Sequence, residues 1–457
     1  MSSRLCWLCA LILLPSAVFA QQQSLTIQQA VDLARKNADA VKAQGYVAAS
    51  ARLGIDEARA AMLPSISLRA SGAYLPNTDQ GVTVKQGSLG SISIPGVGSL
   101  QFPSQDTTIN QYKAQDHGYY QGSAEFSQPL FTWGKIRSAV DLATLQSRLA
   151  DTDLAKARHD AVRDANRAYY GAVLAGQSKA ILAELKDLAA SILADRRAAF
   201  DQGQVTREQV LAAEADLADV SEKLVEATEN EADARESLSI LTGSDIATTV
   251  LSSDFRESAP VPDETELAAQ ASNASDAVAE ARTRLEQARR KMALEQGSQM
   301  LLPDLSIIVD ASAAGQTLPW LNGNWTDSWN WNVTVGIGTK INVFDGGASW
   351  AKAGEAEKDV AAAAAAVSGE ENAAKLDARR ASSALRRAQA AASAKQAKEA
   401  WAAEALKNAE LSAEAQVISR QELNAARIQE ATARLDLLLS RYDVEQGIAD
   451  IERLLGT

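Results

Sequence analysis

The sequence predicts an α+β membrane protein, with long α-helical coiled-coil hairpins and four β-strands per chain. Three observations carry this. The chain repeats its own pattern once. Two proline-free stretches, 135–199 and 348–412, are rich in Ala, Glu, Lys, Arg and Leu, which favour helix strongly. Residues 329–343 alternate between an apolar and a polar face, the period of a strand with one wet side.

The chain of 457 residues opens like a secretory leader. Arg4 supplies the positive start, Leu5 to Leu14 the apolar run, and Ala20 the small residue before a cleavage point. That run is too short for a spanning helix, which needs about 20 apolar residues. Residues 1–20 are therefore expected to be removed. Cys6 and Cys9, the only cysteines, leave with them. A processed chain then has no disulfide, thiolate metal site or cysteine nucleophile. The net charge is −13, or −14 without Arg4. That disfavours nucleic acid, whose binding relies on Lys and Arg. No later apolar run reaches the roughly 18 residues of a membrane helix, so spanning falls to strands.

The repeat sets the organisation. Leu63-Pro64-Ser65-Ile66-Ser67-Leu68 resembles Leu302-Pro303-Asp304-Leu305-Ser306-Ile307, 239 positions later. Phe131-Thr132-Trp133-Gly134 resembles Phe344-Asp345-Gly346-Gly347, 213 positions later. The second offset continues through Leu241-Thr242-Gly243 and Leu454-Leu455-Gly456. The first repeat occupies 21–243, with strands 64–75 and 119–132 around a long loop, 76–118, then a coiled-coil hairpin, 134–243. Residues 244–263, with Pro260 and Pro262, form a linker. The second repeat occupies 264–457, with strands 303–312 and 329–344 around loop 313–328, then a hairpin, 347–456.

Each repeat opens on a helix. Thr26-Ile27-Gln28-Gln29 fits a capping box, and Pro64 ends the helical segment after Met62. In the last strand Trp329, Trp331, Val333, Val335, Ile337, Ile341 and Val343 share one face. In its counterpart Tyr120, Ala124, Phe126 and Leu130 lie opposite Gln121, Ser123, Glu125 and Ser127. The long helices would each extend roughly 95 Å at 1.5 Å per residue, which requires a coiled-coil partner. Val210, Ala213, Leu217, Val220, Leu224, Ala227, Ala234, Leu238 and Leu241 supply a heptad seam, broken only by Glu231. Leu435, Leu438, Tyr442, Ile448, Ile451 and Leu455 form a looser apolar face in the second repeat. Asp201-Gln202-Gly203 marks the first hairpin turn; the second, near Ala413 to Gln416, lacks a glycine.

Four strands cannot seal themselves in lipid, where unpaired backbone groups cost several kcal/mol each. A barrel needs about eight. Three copies give twelve strands and a lumen, with the helices leaving it as a tunnel. Trp133, Trp320, Trp325, Trp329, Trp331 and Trp350 sit in or near the strand ends, as in an interfacial aromatic girdle.

These residues together resemble the TolC family of outer-membrane efflux proteins. The resemblance rests on Leu25-Thr26-Ile27-Gln28-Gln29-Ala30-Val31 and on the paired Leu-Pro strand starts. It rests also on Gln128-Pro129-Leu130-Phe131-Thr132-Trp133-Gly134, Phe344-Asp345-Gly346-Gly347, Leu241-Thr242-Gly243 and the tip Phe200-Asp201-Gln202-Gly203-Gln204-Val205. It implies a homotrimer in the outer membrane with a periplasmic extension. It also implies docking to a periplasmic adaptor (a membrane fusion protein) and an inner-membrane transporter, with no cofactor and no enzymatic activity. Gly203, Gln204, Val205, Gln416 and Val417 would then be docking-tip residues. Glu422 matches a carboxylate ring at the periplasmic entrance, while Ala425 stands at its second position. Ile418 departs from the family's tip lock, leaving Arg420 as the nearest substitute. The substrate class, small molecule or exported protein, stays open. So does a second reading of the residues, a secreted soluble coiled-coil protein of structural or adhesive type. His117 and His159 form no ligand-spaced cluster, and no catalytic motif is present.

Overall fold

A computed structural model describes residues 24–74, 118–256, 260–298, 303–316, 329–340 and 344–456, with parts of 82–109. The leader residues, Trp320, Trp325 and most of loop 313–328 lie outside the described residues.

The duplication is written in the helix lengths. In the first repeat α1 (Ile27–Asn37) and α2 (Asp39–Ala60) precede the strands, and α3 (Lys135–Asp201) and α4 (Arg207–Thr242) follow them. In the second, α5 (Glu264–Ala274), α6 (Asp276–Ser298), α7 (Ala348–Glu414) and α8 (Arg420–Leu455) occupy the same places. The long helices α3 and α7 each have 67 residues, and α4 and α8 each have 36. Both hairpins start on a left-handed glycine, Gly134 and Gly347, and end on another, Gly243 and Gly456. Lacking Cβ, glycine takes these positive φ values without steric cost.

The first helical segment is two helices. Ala38 leaves the helical region at ψ 131°, separating α1 from α2. The box at Thr26 forms as the spacing predicts: Gln29 N–H donates to Thr26 Oγ1, and Thr26 N–H to Gln29 Oε1.

Four strands make the sheet: β2 (Ser65–Tyr74), β7 (Gly118–Phe131), β9 (Asp304–Gly315) and β10 (Trp329–Lys340). Their order is β10-β9-β7-β2, antiparallel throughout, so β7 and β9 join the two repeats. The register lines like with like. One row crosses Val335, Val309, Phe126 and Ile66; the next crosses Val333, Ala311, Ala124 and Leu68. Between them on the other face run Thr334, Asp310, Glu125 and Ser67. The apolar rows end the sheet in the open: Ile66, Leu68, Trp331, Val333, Val335 and Ile337 are 66–81% exposed in the single chain. The edge strands are β2 and β10.

Among its described residues, segment 76–118, read from sequence as a loop, contains four short strands: β3 (Val82–Val84), β4 (Ser91–Ile94), β5 (Gly98–Gln101) and β6 (Thr107–Ile109). β4 pairs with β5 inside the connection between β3 and β6. Ser91-Ile92-Ser93-Ile94 alternates like a strand, but over so few residues that the period is hard to tell from chance. The strand expected at 303–312 runs three residues further, to Gly315.

The heptad seam is the covered stripe of α4, with Ala213, Ala227 and Leu238 buried against α3. Glu231, its one charged member, is half-buried and accepts from Lys179 and Arg235, each at 3.0 Å. Arg235 also donates to the carbonyls of Ile246 and Thr249. The interruption thus ties the hairpin to the linker. In α8 the covered surface is wider than the sequence face, because α8 packs on α7 and on α3; Leu437 and Val444 are buried too.

The linker is packed. Strand β1 (Ser24–Leu25) pairs in parallel with β8 (Val250–Leu251). Ile246 and Phe255 enter a core with Ala30, Tyr169, Tyr170, Val173 and Leu238. Tyr169 Oη donates to Leu25 O at 2.9 Å and accepts from Ser253 N–H at 2.8 Å. Arg256 donates through its backbone N–H and Nε to Glu445, which is 1% exposed, and through Nη1 to Glu452. Burial first, and then the Glu445 charge, pushes the neighbouring Tyr170 hydroxyl up to about 12. Removing one partner of a buried ion pair strands the other in a poor solvent. Arg256→Ala is expected to cost about 3 kcal/mol, read as an earlier unfolding transition in denaturant. Arg256→Lys should recover part of it.

Candidate conduction pathway and gate

The two hairpin turns are built alike. In the first, Gly203 N–H donates to Phe200 O and Gln204 N–H to Ala199 O. In the second, Gln416 N–H donates to Ala413 O and Val417 N–H to Ser412 O. Gly203 has φ 70°, and Gln416 matches it at φ 58°. The missing glycine is thus replaced by a residue forced into the left-handed region, which costs roughly 1 kcal/mol for a side chain with Cβ. Of the five residues expected at the docking tips, Gly203, Gln204, Gln416 and Val417 are exposed, Val417 at 76%. Phe200 and Leu411 also leave apolar surface near the turns.

Each returning helix starts with a capping box. Thr206 pairs with Gln209 in α4, and Ser419 with Glu422 in α8. Glu422 N–H donates to Ser419 Oγ at 3.2 Å. Ser419 N–H and Oγ–H both donate to Glu422 Oε2, at 2.8 and 3.0 Å. The Ser419 backbone N–H, then its hydroxyl, hold the Glu422 carboxyl below the usual carboxylate range. Its charge is therefore fixed at neutral pH. The stability this lends exists above the unfolded value and is lost as pH falls through the lowered one. The structure gives Glu422 a capping task at the place where the resemblance implies a ring.

Arg420 crosses between hairpins. Its Nη1 lies 3.0 Å from both carboxylate oxygens of Asp195 on α3. Asp195 lies 225 positions away and carries no local signal of this pairing. The same α3–α8 seam carries Arg434–Glu184 at 3.0 Å, Arg167–Asp450 at 2.8 Å and Arg453–Asp160 at 2.6 Å. The spacing of Arg420, Arg427 and Arg434 on one helical stripe was the available signal. A cleft of about 760 Å³ opens along it, lined by Glu184, Leu188, Ser191, Arg420, Arg427 and Arg434. His159 is half-buried, with Nδ1 at 2.9 Å from Asp276.

At the other end, Trp133 adopts φ 51° where the second repeat has Gly346 at 71°. Its Nε1 donates to Pro303 O at 2.8 Å, and its ring meets Phe131 edge-on at 4.5 Å. Lys135 pairs with the buried Asp304 at 2.7 Å. These contacts pin the strand-to-helix junction. Trp331 and Trp350 are exposed, at 70% and 76%.

The profile of the outer membrane efflux protein family matches residues 30–244. The second repeat has the same helices, matched in length to within one residue. Residues 30–244 thus carry the pattern of the outer membrane efflux protein family. No curated protein matches it by sequence. Among solved structures it is similar to the Campylobacter jejuni outer membrane channel CmeC, with TM-score 0.71 and 18% identity over 94% of this chain and 85% of that one. The Vibrio cholerae outer membrane protein VceC gives 0.69 and 16%, over 94% and 96%. The open state of the Neisseria gonorrhoeae channel MtrE gives 0.64 and 15%, over 94% and 88%. These identities speak for a shared fold. The chain is an outer-membrane efflux channel with a periplasmic helical tunnel, and the reading as a soluble adhesive protein is set aside.

Relief of the left-handed strain is directly measurable. Gln416→Gly is expected to stabilise the protein by roughly 1 kcal/mol, read as a rise in thermal midpoint. The reciprocal Gly203→Gln should lower it.

Proposed function

We propose that three copies of this chain form the duct of a tripartite system, receiving substrate from an inner-membrane transporter through a periplasmic adaptor. The single observation behind this is the sheet: a continuous apolar outer surface, a polar inner one, and two edges that further copies must pair. The energy comes from the transporter, since a duct needs only to open. The hairpin tips Gly203-Gln204-Val205 and Gln416-Val417 are the adaptor contacts. Trp331, Trp350 and Trp133 anchor the barrel ends in the lipid interface.

Opening separates α3 from α8 near the tip. The Arg420–Asp195 bridge opposes that motion. Arg420 is 76% exposed and Asp195 42%, and exposed pairs contribute about 0–1 kcal/mol each. Such a latch is weak enough for a docking partner to release. Glu422 lies two residues along α8, and threefold symmetry brings three copies around the entrance.

Reconstituted protein tests each part. The processed chain should migrate as a heat-modifiable trimer from the outer-membrane fraction; a water-soluble monomer without detergent would end the reading. Arg420→Ala should raise the open fraction in planar bilayers, and Asp195→Ala should do the same with no further gain in the double variant. Glu422→Gln keeps the capping box, as Gln209 does in the first repeat, but removes the charge. If Glu422 lines the entrance, this variant weakens block by multivalent cations. Unchanged block would leave Glu422 with capping alone.

A further inference from the structure

Among the four hairpin helices, α4 packs on α3, α3 on α8 and α8 on α7. The row is therefore α4-α3-α8-α7, and each end helix keeps one side open. The repeat offset of 213 carries α3 onto α7 and α4 onto α8. The ion-paired seam between α3 and α8 thus has a repeat counterpart between α7 and α4, which stand at opposite ends of the row.

Both open sides carry a second stripe on steps of three and four. On α4 it runs Ala218, Glu222, Val225, Glu229, Ala232 and Glu236, all exposed. These positions lie opposite Ala213, Ala227 and Leu238, the buried side of the helix. On α7 it runs Leu376, Arg380, Ser383, Arg387, Ala390 and Ala394, exposed except for half-buried Ser383. It points away from Ala378 and Leu385, which are buried with Val444 and Ile448 of α8. The charges in the two runs are opposite. Among the described residues Glu222, Glu229, Glu236 and Arg387 have no ion-pair partner, and Arg380 reaches only Asp377 on its own helix, at 3.6 Å.

The seam inside the chain sets the level of the two stripes. Shifted by the offset, Arg167–Asp450 becomes Arg380–Ser237, which puts Glu236 beside Arg380. Helix α4 leaves its hairpin turn while α7 approaches one, so the stripes run antiparallel. Seven residues on, Arg387 is level with Glu229. Four residues the other way, Leu376 is level with Ile240, and both are exposed apolar side chains. Three heptads beyond Arg380, Trp401, 57% exposed, is level with Ala215, whose small side chain leaves room for an indole.

We propose that α7 of one subunit packs on α4 of the next, with Arg380 pairing with Glu236, Arg387 with Glu229, and Trp401 seated over Ala215. Head-to-tail contact between two different faces closes into a ring, and this seam rests on the trimer proposed above. Its polarity reverses that of the seam inside the chain. There the carboxylates Asp195, Glu184 and Asp160 stand on α3, and Arg420, Arg434 and Arg453 on α8. A neighbour's α4 offered to α3 in place of α8 sets carboxylate against carboxylate. That repulsion fixes which hairpin each one meets around the tunnel.

Cross-linking of the processed full-length protein in its membrane tests the seam. Glu229→Cys/Arg387→Cys, treated with a short bifunctional thiol reagent, should give a covalent trimer that survives boiling in detergent. Glu222→Cys/Arg387→Cys, one heptad or roughly 10 Å out of register at 1.5 Å per residue, should run as a monomer on the same gel. The only other cysteines, Cys6 and Cys9, lie in the leader expected to be removed. Separately, Glu229→Arg should lower the temperature at which the native trimer dissociates, and adding Arg387→Glu should restore it. A trimer without the 229–387 cross-link, or with equal yield from the displaced pair, overturns the seam and leaves the duct reading standing. A double charge variant no more stable than Glu229→Arg alone overturns the pairing. A monomer before any cross-linking overturns both seam and duct.

Discussion

Lipid offers no partner to a backbone amide or carbonyl, and this sheet has two strands with one side unpaired. An antiparallel edge strand turns the groups of every second residue outward. For β2 and β10, with 10 and 12 residues, that is on the order of ten polar groups per edge. At several kcal/mol each in hydrocarbon, the sum exceeds the stability of an ordinary domain. Closure with further copies is therefore a condition for this sheet to sit in a membrane. Its register serves the same end, because aligned apolar rows across β10, β9, β7 and β2 give lipid one continuous surface. A one-residue slip would turn Asp310 and Glu125 into it.

The helices answer a different problem, which is to be long and still able to move. Within the first hairpin the buried stripe of α4 is small and apolar at Ala213, Ala227 and Leu238, with Lys179–Glu231 and Arg197–Glu214 crossing it. Between the hairpins, α3 meets α8 through Arg–carboxylate pairs and, beside Tyr170, through Leu438 and Tyr442. Apolar seams hold without regard to salt, whereas half-exposed ion pairs are weak and screened. The hairpins are thus firm units joined by a softer boundary. At the middle of the molecule the boundary is firmer, because the linker is buried across it through Arg256, Glu445, Tyr169 and Phe255.

The duplication also shows how much each copy may depart from the plan. Gly203 and Gly346 hold left-handed positions without cost; Gln416 and Trp133 hold the equivalent positions with a side chain. Trp133 is compensated by its indole hydrogen bond to Pro303 and its contact with Phe131. Gln416 is held by the turn itself. The larger departure is the outer segment of the first repeat, which is longer than its counterpart in the second.

Periodicity determined the elements. Alternation of two marked β10, steps of three and four marked the α4 seam, and proline-free length marked α3 and α7. Those signals are local, because side-chain direction follows from backbone geometry within a few residues. Counting strands then fixed the need for partners. Pairing over distance was out of reach. Asp195 with Arg420 and Arg256 with Glu445 are joined by chain paths that no local pattern records. The same holds for the split at Ala38 and for Gln416 at a turn where no glycine announces it. Only the folded chain decides which carboxylate an arginine finds, because that choice belongs to the packing of whole helices and sheets.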